Sequence, residues 1–266
     1  MKTLLALNDV VAGYGAGDIL KGVDLEVAAG TVTCLIGPNG AGKSTVLKSV
    51  SGLIRPRSGT VTFRGEEISR LSPRARLLLG VVHVPQDRSL FPAMTVWDNL
   101  LMGGYAMKDQ KAVRRRMAEA AEVFPICASR AKDHAGSLSG GEQKQVELAR
   151  TLVLDPGLIL LDEPSIGLDP KSRQLVFGSI RKLAEAGRTV LLVEQNARSG
   201  LAASDFGAVL EGGVVRLTAT GESLLADPEV ARLYLGAGAV PVRALGVDDP
   251  AGVNPSPPSI SSEGAR

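Results

Sequence analysis

The sequence has few aromatic residues, few cysteines and no long hydrophobic run. Aromatics make up 3% of its 266 residues, so a core must rest on Leu, Val, Ile and Ala, which favours a layered α/β architecture. Cys34 and Cys127 lie far apart and form no CxxC pair, which argues against a disulfide framework or a cysteine metal site and fits a reducing cytoplasm. No stretch approaches the roughly 18 apolar residues of a membrane span, and the N-terminal apolar run is too short for the core of a signal peptide.

The chain also lacks an excess of charge of either sign. With 30 Lys and Arg against 28 Asp and Glu, its formal net charge is +2. This balance gives no electrostatic reason to expect a nucleic acid as partner, and we expect none. The hydrophobic content of 44% is ample for a packed core, so we expect a globular protein.

The order of patterns along the chain predicts several regions. Residues 4–35 and the later segment TVTFRGEEI read as strands broken by turns, which predicts an antiparallel β layer beside the first core strand, TVTCLIG. Between about 87 and 150 the composition is helical, and we expect a helical subdomain there. Beyond it, strands alternate with helices, which predicts a parallel sheet with crossover connections. We expect one domain over 1–236, followed by a disordered Pro- and Ser-rich tail over 237–266.

The stretch GPNGAGKST matches the phosphate-loop pattern G-x-x-x-x-G-K-[ST], and it stands between a predicted strand and a predicted helix. Glycines in such a loop let backbone N–H groups point at phosphate oxygens, Lys43 contacts the β and γ phosphates, and the Ser44 hydroxyl is a Mg²⁺ ligand. A plain glycine-rich turn is the alternative, which the flanking strand and helix disfavour. The predicted nucleotide-binding residues here are Gly37, Pro38, Asn39, Gly40, Ala41, Gly42, Lys43, Ser44 and Thr45.

A pair of carboxylates follows a buried strand in LILLDEP. Asp162 ends the apolar run and is placed to hold Mg²⁺ from across the phosphate loop. Glu163 is a candidate general base for the water that attacks the γ phosphate. An acidic helix cap is the alternative for either residue taken alone. Together with the phosphate loop, the pair indicates hydrolysis of a nucleoside triphosphate.

The stretch LSGGE, residues 138–142, precedes a predicted helix. Ser139 and Glu142 form the capping box S-x-x-E, which an ordinary well-capped helix would also show. Gly140 and Gly141 weaken the helix start and leave bare N–H groups that suit an anion. At this point the chain resembles the ATP-binding cassette (ABC) family, whose signature is LSGGE. The resemblance covers about residues 4–236 and includes GPNGAGKS, VPQDR, LSGGEQ, LILLDEP and GLD in the family's order.

The resemblance implies a fold, site residues and partners. The fold class is α/β: a P-loop NTPase with a mixed central sheet, an N-terminal antiparallel β layer and a helical subdomain carrying LSGGE. Tyr14 would stack on adenine, and Gln86 would contact Mg²⁺ and water. A second ABC ATPase chain, identical or different, would hold ATP against Asp169 and against the signature residues Ser139, Gly140, Gly141 and Glu142.

In that family, ATP binding and hydrolysis drive attached integral-membrane permease subunits. The resemblance therefore implies a peripheral protein on the cytoplasmic face of the cell membrane, working indirectly with a substrate-binding protein.

The segment VEQNA follows the last buried strand and narrows the resemblance. Family members normally carry a histidine where Gln195 stands, and we expect Gln195 to contact the γ phosphate in its place. Neither His83 nor His134 can fill that position, and both are expected to be structural or solvent-facing. VEQNA and NLLMGGY resemble importer ATPases for branched-chain amino acids. Importers of urea or short amides and lipid-export ATPases stay open as alternatives, with a soluble non-transport ABC ATPase as a remote one.

Overall fold

The computed structural model describes residues 1–87 and 89–235. The predicted tail, 237–266, lies outside the described residues. Within these two ranges, no helix combines the length and the apolar character needed to cross a membrane.

The bounds of the strands and helices, in chain order, are as follows. The strands are β1 (Thr3–Ala12), β2 (Leu20–Ala28), β3 (Val32–Ile36), β4 (Ser58–Phe63), β5 (Glu66–Glu67), β6 (Val81–Val84), β7 (Leu158–Asp162), β8 (Thr189–Val193), β9 (Phe206–Glu211) and β10 (Val214–Thr220). The helices are α1 (Lys43–Ser51), α2 (Pro73–Leu78), α3 (Val96–Gly103), α4 (Gln110–Val123), α5 (Ile126–Ser129), α6 (Gly140–Leu152), α7 (Pro170–Glu185), α8 (Ala197–Ala202), α9 (Gly221–Ala226) and α10 (Pro228–Tyr234), with a 3-10 turn at Ala135–Ser137.

The strands form two sheets. The smaller is antiparallel with order β2-β1-β4-β5, which confirms the predicted N-terminal layer. The larger has the order β10-β9-β3-β8-β7-β6, in which the contacts from β9 across to β6 are parallel and the β9–β10 hairpin is antiparallel. The central sheet is therefore mixed, as expected. The strand order differs from the chain order because helical connections carry the chain across the sheet.

Both faces of the larger sheet are buried, which explains why β3, β7 and β8 are mostly apolar. Alternate residues point to opposite cores: Leu160 and Leu191 face the antiparallel sheet and α1, whereas Leu161 and Leu192 face the helices of the other layer. Since residues on either face are fully buried, these strands cannot shift register without exposing one set and disrupting the other.

The segment predicted to be a helical subdomain contains α3, α4, α5 and α6. The periodic stretch AVRRRMAEAAEVF lies in α4, where Val113, Met117 and Ala120 are buried on one face. Asp109 caps this helix, and the chain leaves helical geometry at Phe124, just before Pro125. As a separate domain boundary, 87–150 stays a prediction.

The short helix α2 was not predicted. Its N-cap is Ser72, whose side chain accepts a hydrogen bond from the Ala75 N–H, and Pro73 occupies the first turn. Its Arg76 is fully buried, and the guanidinium donates to carbonyls at the end of α1 and in the 69–71 turn. The helix therefore anchors the C-terminal end of α1.

Candidate active site

The carboxyl ends of four adjacent parallel strands meet at one edge of the larger sheet. The phosphate loop follows β3, Gln195 follows β8, Asp162 and Glu163 end β7, and Gln86 follows β6. Ligands of open α/β sheets bind at this edge. The fold thus brings the sequence-predicted phosphate, metal and catalytic residues of the chain to one place.

The phosphate loop has the backbone that its glycines predict. Gly42, at the N-cap of α1, has φ 107°, and a Cβ there would lie 2.8 Å from Leu20 Cδ2. At Gly37 a Cβ would lie 2.0 Å from the Leu210 carbonyl oxygen, so no other residue fits. No side chain caps α1, which leaves the first N–H groups of this helix available to an anion.

Lys43 is 5% exposed and folds back over the loop. Its Nζ donates to the Gly37 carbonyl at 2.8 Å and to the Pro38 carbonyl at 3.1 Å. Burial lowers the pKa of the Lys43 ammonium, and the charges of Glu163 and Asp162 oppose that shift. The ammonium is therefore held between the loop and the two carboxylates, where a phosphate group would meet it.

The Ser44 hydroxyl lies 3.0 Å from Asp162 Oδ1. These two oxygens come from α1 and β7, on opposite sides of the loop, and Asp162 is 6% exposed. A hydroxyl and a carboxylate in contact fit Mg²⁺, a hard cation that protein sites typically bind through one or two carboxylates plus the phosphates of the nucleotide. Ser44 and Asp162 are thus the residues able to hold the metal.

Glu163 has a left-handed backbone, with φ 45°. This region is unfavourable for a residue with a side chain, and such strain is common at functional sites. The Glu163 N–H donates to the Val193 carbonyl at 2.9 Å, and the Gln86 Nε2 lies 3.5 Å from Glu163 Oε2. The structure therefore places Gln86 next to the proposed base, and its contact with Mg²⁺ stays a prediction.

Gln195 is exposed at the rim of the site, and Glu163 and Gln195 line the same cavity of about 340 Å³. The preceding residue, Glu194, is 2% exposed, and its carboxylate accepts hydrogen bonds from the Ser165 and Asn196 N–H groups. The sequence shows that the strand ends in polar residues, but only Gln195 was predicted to have a role there. Glu194 was missed because its partner Ser165 is 29 residues away in the chain.

Tyr14 is 52% exposed and lies beside α1. Its hydroxyl accepts a hydrogen bond from Lys48 Nζ at 3.1 Å, and the same ammonium lies 5.6 Å from the ring centroid. The ring is thus held near the helix that follows the phosphate loop, and about half of the residue stays exposed. Its stacking on adenine stays a prediction.

The signature residues begin α6 as predicted. Ser139 Oγ accepts from the Glu142 N–H at 3.4 Å, and Glu142 Oε2 accepts from the Ser139 N–H at 2.8 Å, which completes the capping box. The two glycines also have a packing reason that the sequence did not show. A Cβ at Gly140 would lie 3.0 Å from Leu168 Cδ2, and one at Gly141 would lie 3.0 Å from the Ser172 side chain.

Asp169 is the N-cap of α7 and accepts from the Lys171 and Ser172 N–H groups at 2.9 and 3.1 Å. Hydrogen bonding to Ser172 lowers the pKa of the Asp169 carboxyl. Because Ser172 packs on Gly141, the structure brings Asp169 and the LSGGE segment together. Their predicted role at a dimer interface concerns a second chain and stays a prediction.

The two histidines are placed by β6 and by the turn before the signature. His83 is partly buried in β6, where burial lowers the pKa of its imidazole. His134 is exposed, and its Nδ1 lies 2.9 Å from the Ala93 carbonyl.

A buried polar cluster that the sequence did not predict joins the segment after Gln86 to α6. Glu147 is 3% exposed and accepts from the Ser89 N–H at 2.9 Å and from the Ser89 hydroxyl. Arg150 donates to the Ser89 carbonyl at 2.8 Å, and Lys144 pairs with Glu147. The helix that starts with the signature is thereby attached to the segment after Gln86.

Comparison with known proteins agrees with this geometry. Residues 20–166 match the family model described as "ABC transporter". The chain belongs to the ABC transporter family. It is accordingly an ABC ATPase, the nucleotide-binding subunit of a transporter, and the resemblance seen in the sequence is confirmed.

Two relatives and one solved structure illustrate the match. The ABC ATPase is 40% identical to the high-affinity branched-chain amino acid transport ATP-binding protein BraG of Pseudomonas aeruginosa, over 88% of this chain and all of BraG. It is 36% identical to the lipopolysaccharide export system ATP-binding protein LptB of Escherichia coli K12, over 89% of this chain and 98% of LptB. The ADP conformation of MJ1267, an ATP-binding cassette of an ABC transporter, matches at 28% identity with a TM-score of 0.80, over 89% of this chain and 100% of MJ1267. The expected fold class is thereby confirmed.

Proposed function

We propose that this ABC ATPase hydrolyses ATP with Glu163 as general base and drives the import of branched-chain amino acids. The observation that carries the hydrolytic part is the meeting of Lys43, the Ser44–Asp162 pair and Glu163 at adjacent strand ends. The similarity to BraG supports the substrate class, together with the VEQNA segment.

Each residue then has a task in hydrolysis. The N–H groups of the phosphate loop and the Lys43 ammonium bind the phosphates. Ser44 and Asp162 would hold Mg²⁺, which when bound would neutralise charge on the β and γ phosphates. Glu163 accepts the proton of the attacking water, while Gln86, 3.5 Å from it, orients that water. Gln195 donates from its carboxamide to the γ phosphate.

The signature residues and Asp169, at the starts of α6 and α7, would complete the site of a second ABC ATPase chain. Gln86 and Gly140 line one small cavity, so a phosphate of the partner's ATP bound there would lie close to Gln86. Closure of the pair on ATP and opening after hydrolysis would move the attached permease subunits, with the protein bound at the cytoplasmic face of the cell membrane. A substrate-binding protein would deliver the amino acid to those subunits.

Lipid or lipopolysaccharide export is the second candidate, because similarity to LptB extends over nearly the same length as similarity to BraG. Purification of the chain from membranes with its permease subunits and reconstitution into vesicles separates the two. We expect ATP-dependent uptake of leucine, isoleucine or valine. Transfer of lipopolysaccharide without amino acid uptake would refute import and support export.

The hydrolytic role is tested by Glu163→Gln, with Glu185→Gln as a matched control on an exposed carboxylate of α7. Loss of the base should lower kcat by at least about 100-fold while ATP binding is retained. The control should keep the wild-type kcat. Undiminished turnover in Glu163→Gln would remove Glu163 from this role.

A further inference from the structure

Glu194 is a buried carboxylate beside the site that the proposed mechanism does not use. It directly follows β8, is 2% exposed, and lines the cavity that also contains Glu163 and Gln195. Among the described residues, none forms an ion pair with it. Burying an unpaired carboxylate is unfavourable, so a side chain that served only to extend β8 into the core would be apolar, like the four residues before it.

Backbone N–H groups take the place of a cation. Glu194 Oε1 accepts from the Ser165 N–H at 3.1 Å, and Oε2 accepts from the Asn196 N–H at 3.4 Å. Burial raises the pKa of the Glu194 carboxyl, and the Ser165 hydrogen bond opposes that rise. The carboxylate thus connects the segment after Glu163 to the segment that carries Gln195.

The first of these bonds continues the pairing between β7 and β8. In the sheet, Asp162 pairs with Val193, and the Glu163 N–H then donates to the Val193 carbonyl at 2.9 Å. Beyond Glu163 the backbone turns, with φ 45°, and ordinary strand pairing stops. The Glu194 side chain supplies the next link, to Ser165. The strained backbone at Glu163 is therefore held from both sides by the end of β8.

The stem of Glu194 is fixed by α8. A Cβ at Gly200 would lie 3.0 Å from Glu194 Cβ and 2.7 Å from Cys34 Sγ, so the helix packs this closely only because residue 200 is glycine. The Glu194 N–H also lies 3.4 Å from the Leu35 carbonyl, on the strand that leads into the phosphate loop. The carboxylate is consequently held in place relative to both the phosphate loop and the Glu163 loop.

We propose that Glu194 is a positioning residue for hydrolysis: the hydrogen bond that it accepts from the Ser165 N–H holds Glu163 in the orientation needed to act on the γ phosphate. This inference rests on the proposed role of Glu163. Because the function is one of geometry, the group needed at residue 194 is a hydrogen-bond acceptor at the right distance from Ser165, and the negative charge itself is dispensable.

The test compares three substitutions in the full chain. Glu194→Gln keeps one oxygen acceptor, which can face the Ser165 N–H, while its NH₂ group replaces the oxygen near the Asn196 N–H. Glu194→Met has similar length and no acceptor, and Glu194→Asp keeps the charge but withdraws the acceptor by one methylene. We expect kcat within about threefold of wild type for Gln, and a fall of at least about tenfold for Met and Asp, since small misplacements of catalytic groups have effects of this size. KM and the affinity for trinitrophenyl-ATP should change by less than about threefold, because Glu194 does not touch the phosphate loop's N–H groups.

Two controls separate positioning from stability and from the role of Glu163. Leu183→Ala removes a buried side chain of α7 that belongs to the core, so it should lower the melting temperature without lowering kcat of the folded enzyme. Glu163→Gln, assayed in parallel, tests the base itself. Undiminished turnover there refutes the proposed function, whereas an inactive Glu163→Gln with a fully active Glu194→Met refutes only the positioning role.

Other outcomes are equally decisive. If Glu194→Gln loses as much kcat as Glu194→Met, an oxygen acceptor facing Ser165 is not sufficient and the proposed positioning role is wrong. If Glu194→Met does not fold, the comparison of Gln with Asp decides: Asp well below Gln supports positioning, and equal activity refutes it.

Discussion

Arg76 offers the sharpest test of what holds the phosphate-loop helix in place. The side chain is 1% exposed, and its guanidinium donates to four carbonyl oxygens: those of Ser49 and Val50 at the end of α1, and those of Ser69 and Leu71. A cation at the C-terminal end of a helix interacts favourably with the helix dipole as well as with the last carbonyls. We predict that Arg76→Met destabilises the protein.

The magnitude follows from which carbonyls water can reach after the substitution. Leu71 is exposed and can be solvated, whereas Ser49, Val50 and Ser69 are buried and would stay unpaired. At about 1 kcal/mol for each buried unpaired carbonyl, at the low end of the usual range, the free energy of unfolding falls by about 3 kcal/mol. The low end applies because burial alone already lowers the pKa of the Arg76 guanidinium, and removing that buried charge is itself favourable.

Thermal and urea denaturation measure this effect. A loss of about 3 kcal/mol in a chain of this size lowers the melting temperature by roughly 6 to 12 °C. Arg74→Met is the matched control, since Arg74 lies on the same helix and is exposed, and it should change the free energy of unfolding by less than about 0.5 kcal/mol. Equal stability of the two variants would show that the Arg76 hydrogen bonds contribute nothing net.

Three further results are expected. Asp162→Asn should raise the Mg²⁺ concentration for half-maximal ATPase activity by at least about tenfold, since it removes the carboxylate next to Ser44; an unchanged Mg²⁺ titration would contradict that assignment. The proposed contact of Gln195 with the γ phosphate should give wild-type ATPase activity no pH dependence between about pH 6 and pH 8, since a carboxamide does not titrate. Gln195→His should introduce a new pH dependence in this range, since an imidazole does titrate. Matching profiles of the two proteins would count against a γ-phosphate contact. Burial raises the pKa of the Cys127 thiol to about 12. The stability that the buried neutral thiol contributes is therefore present below the thiol pKa of the unfolded chain, about 8.5, and decreases as the pH rises above that value. Iodoacetamide at pH 8 should therefore modify Cys127 only in unfolded protein, as mass spectrometry of native and denatured samples would show.

Much of the fold was predictable because the central strands and the phosphate loop have strict local requirements. A strand buried on both faces must be largely apolar, as in the LILL that precedes Asp162. The loop needs glycine at Gly37 and Gly42 because a Cβ there would collide with neighbouring atoms. The antiparallel layer and α4 were predictable from the periodicity of their apolar residues, because each of these elements buries one face.

The contacts that sequence reasoning missed all join distant parts of the chain. Arg76 in SPRARLLLG resembles an exposed charge, and only the fold shows that it meets the end of α1, 26 and 27 residues earlier. Glu147 lies in a well-patterned amphipathic helix, yet its carboxylate is used by Ser89, 58 residues away. Pairings of this kind depend on tertiary packing and leave no periodic signal.

The candidate site divides in the same way. Residues within one segment, such as Lys43 and Ser44 or Asp162 and Glu163, could be named from local pattern. The residues that fix their mutual geometry could not, because the left-handed backbone at Glu163 and its link to Glu194 arise only once β7 and β8 are paired. The roles assigned to Tyr14, Asp169 and the signature residues depend on nucleotide or a second chain and stay predictions.

The strand order has a consequence for how this protein acquires activity during synthesis. β3 ends at Ile36, yet its neighbours in the sheet are β8 and β9, with Val32 paired to Val190 and Cys34 to Gly207. A nascent chain that has just made its phosphate loop therefore has no strand on either side of it. The strands beside the loop, β8 and β9, are made only after more than half the chain has followed. ATP therefore cannot stabilise a nascent chain that ends before β8. Fragments cut before β8 should be both inactive and sensitive to proteases.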